Sequence, residues 1–328
     1  MSAPDRVRSA TRAHGAAAHR VRGAAIISAL LVVALATSVV ATLFLRMSVT
    51  TRSVENRLAL SQVRWIERAA VDWAKVILRS DGMASAVDHL GEPWAVPVAE
   101  TRLDETVTAG ARIGDDSRPG SLTGQMIDMQ GRLNLVAILG TGQVSAPHLA
   151  AARQLFALLD LPDSLVDTVL ARLMRSQPRV VEGRSLPAAA SPLVRLDDLL
   201  ALPGFDPAIV ARLEPFVTVI PFVAGAPLPS LVNLNTAPAE VIAALVPGLE
   251  LSGARRFVER RERSVFRSLE EASQQMNGQP VLSPLLTGVG SSYFLLRGMV
   301  RFDRVEVVSE TLLSRASGKI EIVWQQRL

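Results

Sequence analysis

The chain holds 328 residues, with 35 Lys+Arg against 31 Asp+Glu and no cysteine. That length predicts two domains or one elaborated domain, and the missing cysteines exclude disulfides, thiolate metal sites and a cysteine nucleophile. The net charge of +4 sits at the front, where Arg6, Arg8, Arg12, Arg20 and Arg22 face Asp5 alone, and everything after Gly23 is formally neutral. A basic leader on a neutral body removes the whole-chain case for nucleic acid as partner.

The first element follows that leader. No charged residue occurs from Gly23 to Leu45, and Ala24–Leu45 is interrupted only by Ser28, Thr37, Ser38 and Thr42. A helix of this length spans ~33 Å, enough to cross a hydrocarbon core of ~30 Å. The preceding arginines predict a cytoplasmic N-terminus, with the rest of the chain on the far side of the membrane. A cleaved secretory signal is the plainer alternative, but its apolar core is shorter and is followed by a small-residue cleavage site. Here no Gly or Pro occurs between Ala24 and Asp81, and apolar or small residues at Leu58, Ser61, Trp65, Ala69, Trp73, Val76 and Ile77 predict a stripe along one face. Arg57, Arg64, Glu67, Arg68, Asp72 and Arg79 supply polar positions, and Gly82 is the expected C-terminal stop.

A short basic leader ending in Gly23, followed by an uncharged apolar segment opening a long helix, resembles the type IV pilin and pseudopilin N-terminus. The resemblance implies cleavage between Gly23 and Ala24 by a prepilin peptidase, methylation of the new amine, and packing of the apolar segment into a filament. Most members carry Glu at the fifth mature position, whereas this chain has Ser28 there. That departure resembles minor pseudopilin K of type II secretion systems, whose members lack the glutamate and are placed at the filament tip. The resemblance implies minor pseudopilins of the I and J types, along with other pseudopilins, as partners.

Residues 82–125 are rich in Gly, Pro, Asp and Ser and predict loops with short strands. Asp128–Gly131 then predicts a turn between short β-prone runs, a hairpin with Asp128 as an Asx-type turn residue; this stretch also resembles a K-type acidic-Gln-Gly signature before Leu133-Asn-Leu135. From about Leu149 to Gln275 the pattern is helical, with candidate helices at Ala150–Leu159, Asp163–Arg175, Leu196–Leu202, Pro207–Leu213, Ala237–Leu245, Ala254–Arg263 and Leu269–Met276. Leu199–Phe205 and Ala243–Leu249 are alike, each an apolar helix end running into a Pro-Gly hairpin and a second helix, so a helix-hairpin-helix (SAM-like) repeat is expected. Tyr293–Val300, Arg304–Leu313 and Lys319–Gln325 return to strand patterning, with a hairpin-like connection at Ala316–Lys319. The expected fold class is α+β, a long transmembrane and amphipathic helix with a pilin-like antiparallel sheet interrupted by a large helical insertion. The expected division is leader 1–23, membrane segment 24–45, amphipathic continuation 46–81, pilin-like body 82–135 and 286–328, and insertion 136–285.

The residues offer little for catalysis. Only His89 and His148 follow the leader, too few for a histidine zinc site, and neither a Walker A motif nor a Gly-x-Ser-x-Gly elbow is present. No enzyme activity, catalytic residue or metal ligand is expected, and no cofactor is required. The resemblance to K-type proteins leaves calcium possible in the helical domain, but the acids of the family's stretch are missing after Asp167, and Asp197, Asp198 and Glu214 read as caps or surface charges. The rival reading is a membrane-anchored DNA receptor of competence type. It takes Gly248 at the second hairpin as a phosphate contact, with Arg255 and Arg256 behind it. Glu250, two residues after Gly248, and Asp206 in the first repeat place carboxylates where phosphate belongs, so a structural helical module is the favoured reading.

Overall fold

The computed structural model describes residues 15–103, 120–140, 142–181, 184–221, 231–276 and 282–328. Most of the leader and residues 104–119 of the Gly/Pro-rich stretch thus lie outside the described residues. The chain forms two compact units, Met1–Leu60 and Ser61–Leu328. Helix α1 runs Gly15–Ala84, so helical backbone begins ahead of the expected processing point. From Ala24 to Leu45 its side chains are exposed, and one 18-residue window reaches a mean hydropathy of 2.5. The four hydroxyls of this stretch bond back along the helix, Ser28 Oγ to the Ala24 carbonyl at 2.9 Å, Thr37 to Val33 at 2.9 Å, Ser38 to Ala34 at 2.8 Å and Thr42 to Ser38 at 2.7 Å. A hydrophobic segment can carry them because each polar hydrogen already has an acceptor.

In the second unit, five antiparallel strands lie in chain order: β1 (Val98–Leu103), β2 (Gly120–Asp128), β3 (Tyr293–Phe302), β4 (Val305–Ser314) and β5 (Glu321–Arg327). The register pairs Asp128 with Phe294 and Ser121 with Arg301, so the two strands separated by the insertion are sheet neighbours. The last three strands fall in the β-branched and apolar runs read from the sequence, but a register shift at Leu312–Leu313 breaks the expected alternation of β5 and leaves Ile322 exposed; Gly318, at φ +77°, turns the chain between β4 and β5. Val71, Ala74 and Leu78 of α1 pack on Trp94, Phe294 and Leu313 of this body.

Two local readings change. The buried face of α1 is Val63, Ile66, Glu67, Val71, Ala74 and Leu78, whereas Trp65, Trp73 and Val76 of the expected stripe are 62%, 53% and 64% exposed. Both faces are apolar, so periodicity alone did not distinguish the one that meets the sheet; Glu67 is inside because Arg327 of β5 pairs with it at 2.6 Å. Gly82 does not stop the helix. A Cβ there would stand 3.2 Å from Arg315 Nη1, so the glycine makes room for a guanidinium instead.

Between β2 and β3 the chain builds a separate core from Leu133 to Leu286. Its helices are α2 (Ala146–Leu158), α3 (Ser164–Arg175), α4 (Pro207–Leu213), α5 (Ala239–Leu245), α6 (Leu251–Arg263) and α7 (Leu269–Gln274), while Leu196–Ala201 is a 3-10 turn. The two hairpins are alike, with Gly204 at φ +88° and Gly248 at φ +80° in the left-handed region that glycine enters without a Cβ penalty.

Candidate functional site

The expected hairpin at Asp128–Gly131 is instead a junction. After β2, a 3-10 turn over Met129–Gly131 carries the chain off the sheet, and Leu133–Asn134 pairs in parallel with Val217–Thr218. Asp128 Oδ1 accepts from the Gln130 N–H at 2.8 Å, the turn bond that its sequence position suggests. Its Oδ2 accepts three more, from Asn233 Nδ2 at 3.1 Å, Thr236 Oγ1 at 2.5 Å and Ser291 Oγ at 2.6 Å. One carboxylate thereby joins the end of β2, the Asn233–Thr236 segment of the helical module and the approach to β3. Burial pushes the Asp128 carboxyl up from its ordinary value, while the hydrogen bonds from Ser291, Thr236, Gln130 and Asn233 act against that rise.

Asp88 extends the same cluster. Its Oδ2 accepts from the Ser291 N–H at 2.7 Å, and its Oδ1 meets the Arg315 guanidinium, which also reaches Asp81 at 2.9 Å and the Ser291 carbonyl at 2.9 Å. Burial pushes Asp88 up to about 7 even though Arg315 pulls it down. Gln130 clamps the other side, accepting from the Ser292 N–H at 2.6 Å and donating to the Leu231 carbonyl at 3.0 Å. Close backbone approach is built in, since a Cβ at Gly290 would lie 2.6 Å from the Ala86 carbonyl oxygen and one at Gly131 2.7 Å from Thr236 Oγ1. Arg315, Asp88, Asp81 and Ser291 carried no sequence motif, because their partners lie about 200 residues away along the chain.

Asp81, Asp88 and Glu92 are a group of acids whose oxygens approach within 4.8 Å of one another. Arg315 already occupies the space between the two aspartates, and Glu92 Oε2 accepts from Trp94 Nε1 at 2.7 Å and the His89 N–H at 3.0 Å. In the helical module, Asp163 and Asp167 both pair with Arg153, while Asp198 accepts from the backbone N–H groups of Val194 and Arg195. These residues do not fit a calcium site, because their oxygens face cations and donors of the chain itself.

The hairpin residues of the DNA reading fare differently. Gly248, Arg255 and Arg256 are exposed, with Arg255 Nη2 4.0 Å from Glu240. Glu250 takes the N-cap position of α6 without a side-chain cap bond, and in the first repeat Asp206 Oδ1 caps the Ile209 N–H at 2.8 Å, so the start of α4 already faces a carboxylate. Arg261 of the basic helix points inward and donates to the Leu234 carbonyl at 2.7 Å and to that of Ala237; Arg260 is bound to the Gln275 carbonyl. Asn233 and Asn235 are buried, Asn235 exchanging bonds with the Phe266 backbone at 2.9 Å each. The Asn233–Glu240 stretch therefore anchors the module rather than presenting side chains to phosphate. Arg261→Gln is expected to cost about 2–4 kcal/mol by orphaning buried carbonyls, against less than about 0.5 kcal/mol for the exposed Arg256→Gln. Thermal unfolding of the two variants measures the difference.

Comparison with known proteins places this architecture. Family models described as type II secretion system protein K match residues 131–222 and 232–290, the two halves of the helical module. Type II secretion system protein K of Pseudomonas aeruginosa is 28% identical over 92% of this chain and 91% of its own length. The chain resembles type II secretion system protein K along most of its length. The crystal structure of the GspK-GspI-GspJ complex from the enterotoxigenic Escherichia coli type 2 secretion system contains a chain of the same fold, with TM-score 0.60, 20% identity and coverage of 82% of this chain and 96% of that one. The K family is a family of minor pseudopilins in type II secretion, so the long apolar helix and the inserted helical module have a common context in filament assembly. The Asp128 hub falls at the seam between the body and the first of the matched regions.

Proposed function

We propose that this chain is the tip subunit of a type II secretion pseudopilus, initiating or capping filament assembly for protein export across the outer membrane. In this reading a prepilin peptidase cuts between Gly23 and Ala24 on the cytoplasmic side of the inner membrane. The Ala24–Leu45 helix is the anchor, and the helical insertion is assigned to 136–285. The arginines ahead of the helix support the N-in orientation. The observation that carries the tip assignment is Ser28, whose hydroxyl is spent on the Ala24 carbonyl and offers no carboxylate to a neighbouring subunit's amine. Partners are minor pseudopilins of the I and J types, as in the Escherichia coli GspK-GspI-GspJ complex. The exposed apolar face of Trp65, Trp73 and Val76 supports a helix-to-helix contact for them, since contiguous exposed apolar surface marks an interaction site. The work is assembly rather than reaction, without a cofactor.

Secretion by a strain carrying Ser28→Ala as its only copy tests this reading. Export is expected to be unchanged, because the lost hydroxyl bonds only within its own helix. Abolished export with normal protein levels would mean that residue 28 makes an assembly contact, against the tip assignment.

A further inference from the structure

Between Arg64 and Met83 the outward face of α1 carries two rows of side chains. Trp65, Ala69, Trp73, Val76, Ser80 and Met83 follow one another at steps of four and three, the period of a helix-packing seam. Its large members are exposed, Met83 by 81%. Ala69 stands between the two tryptophans and Ser80 between Val76 and Met83, leaving gaps of the kind that knobs from a second helix fill. One position before each of the first five stand Arg64, Arg68, Asp72, Lys75 and Arg79, a charged row along one border of the seam. Asp72 is spent on Lys75 at 3.3 Å, and Arg68 lies over the Trp65 ring at 5.3 Å. Arg64, Arg68 and Arg79 have no ion pair among the described residues. The other border is apolar, since Trp73 lines a cavity of about 50 Å³ together with the exposed Val96.

A contiguous exposed apolar seam marks an interaction surface, and the charge beside it selects what docks there. A second copy of this chain would answer the row of cations with Asp72 alone, and like charges across an interface act against pairing. A membrane surface would satisfy the arginines, but it has no knobs for the gaps at Ala69 and Ser80. We propose that the Trp65–Met83 face of α1 docks a helix of a different subunit, one with an apolar seam bordered by acidic side chains that meet Arg64, Arg68 and Arg79. This rests on the filament-subunit reading above and adds to it the chemistry of the partner. Because only one border of the seam is charged, the partner's acids must lie along one edge of its own seam. Such edge charges set the partner choice and the orientation of paired helices.

The test uses the full-length chain, co-expressed with its I-type and J-type partners and extracted in detergent. Arg68→Lys and Arg79→Lys keep the charge while placing amines on the row, and a water-soluble carbodiimide joins an amine to a carboxylate in direct contact with it. The expected result, read by peptide mass spectrometry, is a bond from Lys75 or from the amine introduced at 68 or 79 to an Asp or Glu of a partner's helix. Arg64→Glu, Arg68→Glu and Arg79→Glu combined should lower the recovered partner by about tenfold or more. Thermal unfolding of that variant should match the wild type, because all three side chains are exposed. Wild-type recovery should also fall between ~0.1 M and ~1 M sodium chloride, as the screening length shrinks from ~10 Å to ~3 Å. If the complex forms but the bonds join only copies of this chain, the proposal is overturned and the tip reading stands. The same holds if no bond to a partner forms and the triple variant recovers both partners unchanged, which leaves the face to lipid. A wild-type chain that recovers neither partner overturns the tip reading, and the proposal with it.

Discussion

Replacing Asp128 by Ala should destabilise the second unit by about 3–5 kcal/mol, lowering its melting midpoint by roughly 6–20 °C. The carboxylate accepts four hydrogen bonds while it is 5% exposed. Removing it leaves Ser291 Oγ and the Gln130 N–H with no other acceptor among the described residues, and leaves Asn233 and Thr236 with weakened sets. Asp128→Asn keeps the shape but turns one acceptor into a donor facing donors, so its cost should be smaller, about 1–3 kcal/mol. An exposed Asx turn, by contrast, would lose about 1 kcal/mol or less on the same change. Thermal unfolding of the full chain in detergent, followed by near-ultraviolet circular dichroism, distinguishes these outcomes. Because the hub joins the body to the helical module, protease sensitivity should rise first around residues 129–134 and 231–236.

The largest functional effect is expected at Gly23. Gly23→Phe should leave the chain unprocessed in the membrane and abolish secretion, since a bulky side chain would occupy the position that the peptidase reads as glycine. Intact mass measurement checks this directly. The wild-type mature chain should begin at Ala24, and the variant should retain the leader at full mass. A wild-type chain beginning beyond Leu45 would instead mark ordinary signal cleavage, and a Gly23→Phe variant that is processed and secretes normally would remove the leader assignment.

How much of this was legible depended on sequence distance. The strands after Tyr293 and the paired Pro-Gly hairpins were readable because their signals are local: runs of β-branched and apolar residues, and a glycine at each left-handed turn. The long apolar helix was readable for the same reason, as an uncharged run. Which face of α1 meets the sheet was not, because Trp65, Trp73 and Val76 are as apolar as Val71, Ala74 and Leu78, and only the partner surface decides between them. Gly82 looked like a helix stop because its reason, the Arg315 guanidinium, is over 230 residues away. Asp128 showed its turn bond to Gln130 in the sequence and concealed its other three, whose donors lie more than 100 residues downstream. Arg261 carries no local sign of burial for the same reason, because its carbonyl partners are on the segment before α5.

In the proposed role this chain acts once, at the end of a filament, beside two different minor pseudopilins. Native mass spectrometry of the complex extracted from membranes that express this chain with its I-type and J-type partners tests it most directly. One copy of each subunit per complex is the predicted result. Several copies of this chain associated with one another, in a complex lacking both partners, would contradict it.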